Sequence, residues 1–326
     1  MSRDTENKAP GECAWSLLRA ASADTSVQRG SPMCYLIVIG EEERSPGTMN
    51  GRISLWVRAH PLITYFALAY VISGVMVLPL IARAQGFTDA HIPYSLHYLN
   101  DYGPLLAALI TARIADGAEG RRDLLRRMVR WRPGTGWVLL AAILPLVVFA
   151  VAAGIVVLVM GKAQPDLGLL GKLPYLPYLG LGGWVFWLAT VGLGEESGWR
   201  GFALPRLQRN MSALSATLIL TLFWVGWHLP RFFYFDGFKT LGFAVLPTFA
   251  LQELVWAIVL TWLYNSARGS IPAPALFHSS SNFFLASPAA AGKMNVLVNE
   301  LLIVLVIALI VIFKPANLSR SGKHVL

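Results

Sequence analysis

A chain of 326 residues that is 55% hydrophobic and only 14% charged, with a mean hydropathy of +0.55, is too apolar for an ordinary soluble domain and reads as an integral membrane protein. Its two cysteines, Cys13 and Cys34, both precede the apolar region, which excludes a disulfide framework and a cysteine-based metal site. The net charge of +9 does not point to nucleic acid, because the arginines cluster in short segments between apolar runs, the pattern that orients membrane proteins.

Residues 1–50 mix Ser, Gly, Pro and charge and carry one short apolar patch at 35–39 with no secretory signal, so a disordered extension is expected, with Met49 a candidate alternative start. Apolar runs of about 20 residues then predict an all-α polytopic membrane helix bundle of about eight transmembrane helices. These fall at 61–81, 102–114, 137–160, 178–204, 213–235, 243–264, 271–286 and 296–313. Between the second and third, residues 118–132 place Leu124, Leu125, Met128 and Trp131 at helical spacing opposite arginines, as in a basic helix lying on an anionic lipid surface. The expected organisation is N-terminal membrane helices over 51–177, a catalytic core over 178–290, and a last helix with its tail over 291–326. Lysine and arginine concentrate at the two ends and in alternate loops, which predicts both termini in the cytoplasm and a place in the cell (plasma) membrane.

The fourth run contains Gly194-Glu195-Glu196-Ser197-Gly198-Trp199-Arg200-Gly201. Ionisable groups at bilayer depth cost about 2.5–3.5 kcal/mol each on insertion scales and mark function. On a helix Glu196 and Arg200 are four apart and pair, whereas Glu195 has no local cation. Gly194 and Gly198 strip one face of side chains, so another helix can approach closely. Two of the six histidines also lie inside apolar runs. His228 follows Trp224 by one turn and precedes Pro230, which cannot donate to the carbonyl of Gly226 and is expected to leave it free. His278 and Asn282 share one helical face. Taken singly, each is as well read as an interhelical hydrogen bond; together they are the residue types of proton transfer and oxyanion stabilisation.

In this order, Glu195-Glu196-x-x-x-Arg200, Trp224-x-x-x-His228 and His278-x-x-x-Asn282 resemble the three-part signature of the CAAX-protease and bacteriocin-processing intramembrane endopeptidases, the group that includes the type 2 CAAX prenyl protease. The resemblance covers roughly 178–286 and departs at Trp224, where the family usually has Phe; as an aromatic for an aromatic it is expected only to pack. The resemblance implies that Glu195 acts as general base on a water held by His228. His278 and Asn282 would then stabilise the oxyanion, and Glu196 with Arg200 would fix the helix. Should a metal be used, zinc on Glu195, His228 and His278 is the implied set, although no local His-Glu-x-x-His motif is present. The implied partners are the lipid bilayer and a membrane-associated peptide or protein substrate. Ser197 and Ser279–Ser281 are candidates for a serine nucleophile by residue type, but the serines around His278 are expected to satisfy backbone groups within the helix or to line the cavity.

Two other functions fit an apolar bundle with buried charge, a non-catalytic membrane regulator and a proton-coupled transporter. One tension is geometric. Glu195 lies about eight residues, roughly 12 Å, from the end of its run, and His228 about 15 residues, roughly 22 Å, into the next. They meet only if span five is tilted or residues 211–218 run along the interface.

Overall fold

Length and apolarity suit five of the helices to crossing a bilayer, and the chain uses them as an outer frame. The computed structural model describes residues 49–131 and 135–326. The extension before residue 49, with Cys13 and Cys34, lies outside the described residues. In chain order come α1 (Met49–Ala59), α2 (Pro61–Ala84), a 3-10 helix (Tyr94–Tyr102), α3 (Gly103–Ala115), α4 (Gly117–Met128) and α5 (Thr135–Gly154, continued by a π turn to Val159). Then follow α6 (182–207), α7 (Ala213–His228, continued by a 3-10 turn Leu229–Phe233), α8 (Asp236–Leu241), α9 (Leu246–Ser266), α10 (Pro272–Phe284) and α11 (Lys293–Asn317). The described residues contain no strand. The helix in the basic segment ends at Met128 and buries Leu124 together with Arg127, while Leu125 and Trp131 stay exposed.

The frame helices are α2, α5, α7, α9 and α11. They turn apolar side chains outward, among them Val71, Val75 and Leu78 on α2, Leu222 on α7 and Val304, Ile307 and Val311 on α11. Such a belt is what acyl chains solvate. The other three sequence-predicted spans form helices at the expected places but not as simple crossings. Both α3 and α10 have 13 residues, about 20 Å of helix against a hydrocarbon core of about 30 Å. The helix α6 alternates α and π turns, with π stretches at Leu188–Glu195 and Trp199–Ala203. Leu106 and Ile110 of α3 and Val185 at the start of α6 are exposed, whereas α10 is enclosed by protein, so packing rather than bilayer thickness sets its length. In α10, the run from Pro272 to Ser281 is buried without interruption. It packs on α5 and α6, while α3 packs on α2, α4 and the middle of α6.

After α11 the chain doubles back through Leu318, which adopts a left-handed conformation at φ 44° and is fully buried. The tail then lies across the ends of α6 and α9. Gln208 and Asn265 exchange amide hydrogen bonds at 3.1 and 2.8 Å. The same two side chains hold the backbone of His324, the Gln208 amide donating to its carbonyl at 2.7 Å and its N–H donating to Asn265 Oδ1 at 3.1 Å.

Candidate active site

The glycines of α6 do what their spacing predicts. A Cβ on Gly194 would come within 2.6 Å of the Asp101 carbonyl, and one on Gly198 within 2.6 Å of the Pro104 carbonyl and the Tyr65 hydroxyl. On another face, a Cβ on Gly192 would meet the Ala275 carbonyl of α10 at 2.9 Å. The helix is therefore thin where α3 and α10 press on it, and its charged residues are sealed between them. Glu195, Glu196, Arg200, His228 and His278 are each 4% exposed or less.

Glu196 and Arg200 pair at 3.0 Å as expected, but the pair is a triad. His278 Nδ1 lies 2.8 Å from the same Oε1 of Glu196. Because a carboxylate only accepts, His278 donates through Nδ1, which leaves Nε2 facing away from the pair. The second oxygen of Glu196 and the Nε and Nη2 atoms of Arg200 have no protein partner while fully buried. The guanidinium lies 4.5 Å from the ring of Trp224, a cation–π contact strengthened by desolvation.

Glu195 is held by a residue expected only to pack. The indole of Trp224 donates to Glu195 Oε2 at 2.8 Å, a bond that a phenylalanine could not make. Among the described residues no donor reaches the other oxygen of Glu195. One turn on, His228 Nδ1 donates to the Trp224 carbonyl at 2.9 Å, so in the neutral ring Nε2 carries the lone pair. The rings of Trp224 and His228 are 5.7 Å apart and those of Trp224 and His278 5.5 Å. Trp224 thus joins all three motif segments. Asn282 spends one N–H on the His278 carbonyl at 3.2 Å and is less buried than the rest.

The depth tension resolves in the same contact. Glu195 lies twelve residues before the end of α6 at Leu207, and Trp224 eleven residues after the start of α7 at Ala213, so the two are level in an antiparallel pair. His228 is one turn deeper and reaches the acid through its neighbour. Two smaller expectations are corrected. The carbonyl of Gly226 is not free, because Leu229 N–H takes it as the helix tightens to a 3-10 turn. The serines beside His278 bond between helices rather than within one: Ser279 donates to the Trp184 carbonyl at 2.9 Å, and Ser280 accepts from the Trp184 indole at 3.0 Å.

Three ionisable residues at the site were missed in the sequence. Asp101, in the 3-10 helix before α3, is fully buried with Oδ2 unpartnered. Arg231 follows His228 by three residues and acts electrostatically on Glu195 and Asp101. Glu253, in α9, has a buried oxygen without a partner and also senses Glu195. A lone glutamate in an apolar run was legible for Glu253 by the same rule that singled out Glu195. Glu195, His228 and His278 do not converge as a ligand set: among the described residues no three His, Cys, Asp or Glu side chains gather as a metal site.

Comparison with known proteins places this geometry. The chain is 26% identical over 144 residues to CAAX prenyl protease 2 of Methanococcus maripaludis, an alignment covering 42% of this chain and 52% of that protein, so the chain spans about half the length of this curated relative. The family model for type II CAAX prenyl endopeptidase Rce1-like proteins matches residues 177–284, the stretch that holds Glu195, Trp224, His228, His278 and Asn282. Over residues 177–284 the chain is thus similar to the type II CAAX prenyl endopeptidase, Rce1-like, family, the group its three motifs resemble.

Proposed function

We propose that the protein is an intramembrane endopeptidase that hydrolyses a peptide bond in a membrane-associated protein or peptide with a water activated by Glu195 and His228. The observation that carries this reading is the hold on Glu195: one oxygen is fixed by the Trp224 indole, the other is unbonded, and His228, one turn beyond Trp224, ties its Nδ1 to the Trp224 carbonyl and so leaves Nε2 as an acceptor. A water between the free carboxylate oxygen and Nε2 gives its proton to Glu195 as its oxygen attacks the scissile carbonyl carbon. His278 Nε2, when protonated, and the remaining Asn282 N–H donate to the oxyanion, where loss of one donor costs about 10²–10³ in rate. The tetrahedral intermediate collapses with return of the proton from Glu195 to the leaving nitrogen, so atoms and charge balance without a covalent enzyme intermediate. The Glu196 carboxylate, accepting from Nδ1, fixes the orientation of the His278 ring and compensates the charge the ring carries when both nitrogens donate. No step in this reading is routed through a metal.

The test is a comparison of new protein termini in membranes carrying the wild-type chain or Glu195→Gln. Termini present only with the wild type, and persisting in a chelator, support the reading. Identical termini in the two membranes reject hydrolysis in favour of a regulatory or transport role, and loss of cleavage in the chelator rejects the metal-free route.

A further inference from the structure

The water-activating pair sits on two separate elements, and one short segment touches both. This is the 3-10 helix Tyr94–Tyr102, which none of the three motifs includes. Its Asp101 carbonyl lies against Gly194, next to Glu195, at a spacing that leaves no room for a Cβ. The Asp101 side chain reaches the other element. Oδ1 is 3.7 Å from Nη2 of Arg231, in the turn that continues the His228 helix, and also accepts from the Asn100 side chain at 3.2 Å. A second tie runs parallel to it, His97 Nδ1 to the Tyr234 hydroxyl at 2.6 Å. The segment is itself anchored to α2 by Ser73 donating to the Asn100 carbonyl at 2.8 Å.

The ion pair matters more here than at a surface. Asp101 is fully buried and the Arg231 side chain is 19% exposed, so little solvent screens their attraction. A small cleft of about 20 Å³, room for a single water, is lined by Ser73, Asn100, Trp227 and Arg231, and the guanidinium lies 5.7 Å from the Trp227 ring. The carboxylate of Asp101 and the Trp227 ring together hold that side chain, and with it the turn after His228.

We propose that Asp101 is a positioning residue that, through Gly194 on one side and Arg231 on the other, sets the separation of Glu195 from His228. The proposal deepens the endopeptidase reading and rests on it for its consequence in rate, but its geometric content can be tested without any cleavage.

The experiment uses the full chain in detergent micelles with ¹⁵N-labelled tryptophan and histidine. The Trp224 indole resonance, assigned through Trp224→Phe, reports the bond to Glu195, and the His228 ring resonances, assigned through His228→Gln, report the imidazole. Asp101→Asn is isosteric and keeps the hydrogen bond to Asn100. It is expected to move both sets of resonances and to lower turnover of a membrane substrate by about 10–100-fold with KM changed less than threefold, as for a group acting on geometry. Arg231→Lys, which keeps the charge, is expected to retain most of the turnover that Arg231→Gln loses. Unmoved Trp224 and His228 resonances in folded Asp101→Asn overturn the proposal, whether or not the chain proves to be a hydrolase. Moved resonances with wild-type turnover overturn its catalytic consequence alone. If Asp101→Asn does not accumulate, Arg231→Gln breaks the same ion pair from its other end, and the same resonances, moved or unmoved, support or overturn the proposal.

Discussion

The indole N–H of Trp224 donates to Oε2 of Glu195 across 2.8 Å, from one helix to its antiparallel neighbour and at matching depth in each. A hydrogen bond to a buried charged group is worth about 1.5–3 kcal/mol. Replacing the indole with the phenylalanine usual in the family removes the donor but keeps an aromatic ring beside Arg200 and His228. Trp224→Phe is therefore expected to lower kcat by about 10–100-fold if the bond orients the attacking base, with KM little changed. Trp224→Leu, which also gives up the 4.5 Å cation–π contact with Arg200, should fall further. Steady-state kinetics of the two variants on one membrane substrate decide the matter, and equal rates for Trp224→Phe and wild type would show that the bond is dispensable.

The close approach at α6 predicts a sharp contrast among glycines. Gly194→Ala and Gly198→Ala force a methyl to within 2.6 Å of backbone carbonyls, and overpacking of this kind costs about 1–3 kcal/mol. Gly74→Ala and Gly154→Ala meet no atom within 4 Å. The first pair should lower the thermal unfolding midpoint in detergent and the second pair leave it unchanged or raised.

Breaking the buried triad by removing its cation should be worse than removing the whole charge system. Arg200→Met strands Glu196 and is expected to destabilise by about 3–5 kcal/mol, whereas Arg200→Met with Glu196→Gln should recover part of that loss. His278 keeps a hydrogen-bonding partner in the double variant, so recovery of fold without recovery of activity is the expected result. Thermal melts paired with cleavage assays separate the two.

The docked tail carries a pH dependence whose sign follows from His324. Burial, reinforced by Arg127 and Arg130 and opposed by Asp123, pushes its pKa down to about 4 from an ordinary 6.5. The neutral ring packs edge-on against Tyr264 with its centroid 5.6 Å away, and its Nε2 has no partner. The docked tail therefore favours the unprotonated ring. Docking is at full strength above about pH 6.5, weakens as pH falls toward 4, and levels off below. Amide protection factors in residues 318–326 should fall over that window, and His324→Phe should remove the dependence.

Much of this was legible in the sequence, and the limits have physical causes. The membrane class, the helix positions and the Glu196–Arg200 pair follow from composition, apolar runs and an i, i+4 spacing, because each depends on residues near one another in the chain. The π turns of α6 and the 13-residue lengths of α3 and α10 do not follow, because contacts distant in sequence act on them and apolar runs measure only hydrophobicity. The resemblance of the motifs points His278 to the oxyanion or to a metal, and its bond to Glu196 across 82 residues of sequence cannot be read from either motif. Trp224 reads in the sequence as packing because an aromatic substitution hides the one atom, Nε1, that makes it different. Asp101 and Arg231 sat at the edges of apolar runs, where charge is ordinary, and only the fold brings them together.

The frame of five long apolar helices around α3, α6 and α10 divides the molecule into two regimes of tolerance. Outward residues such as Val75 and Val304 face a liquid of similar chemistry, so exchanges among Val, Leu and Ile there should pass unnoticed. On α10, where residues from Pro272 to Ser281 are enclosed without a break, one added methylene has nowhere to go. Variation in this chain should thus be written almost entirely on its rim, leaving the inner three helices as the record of what the protein is for.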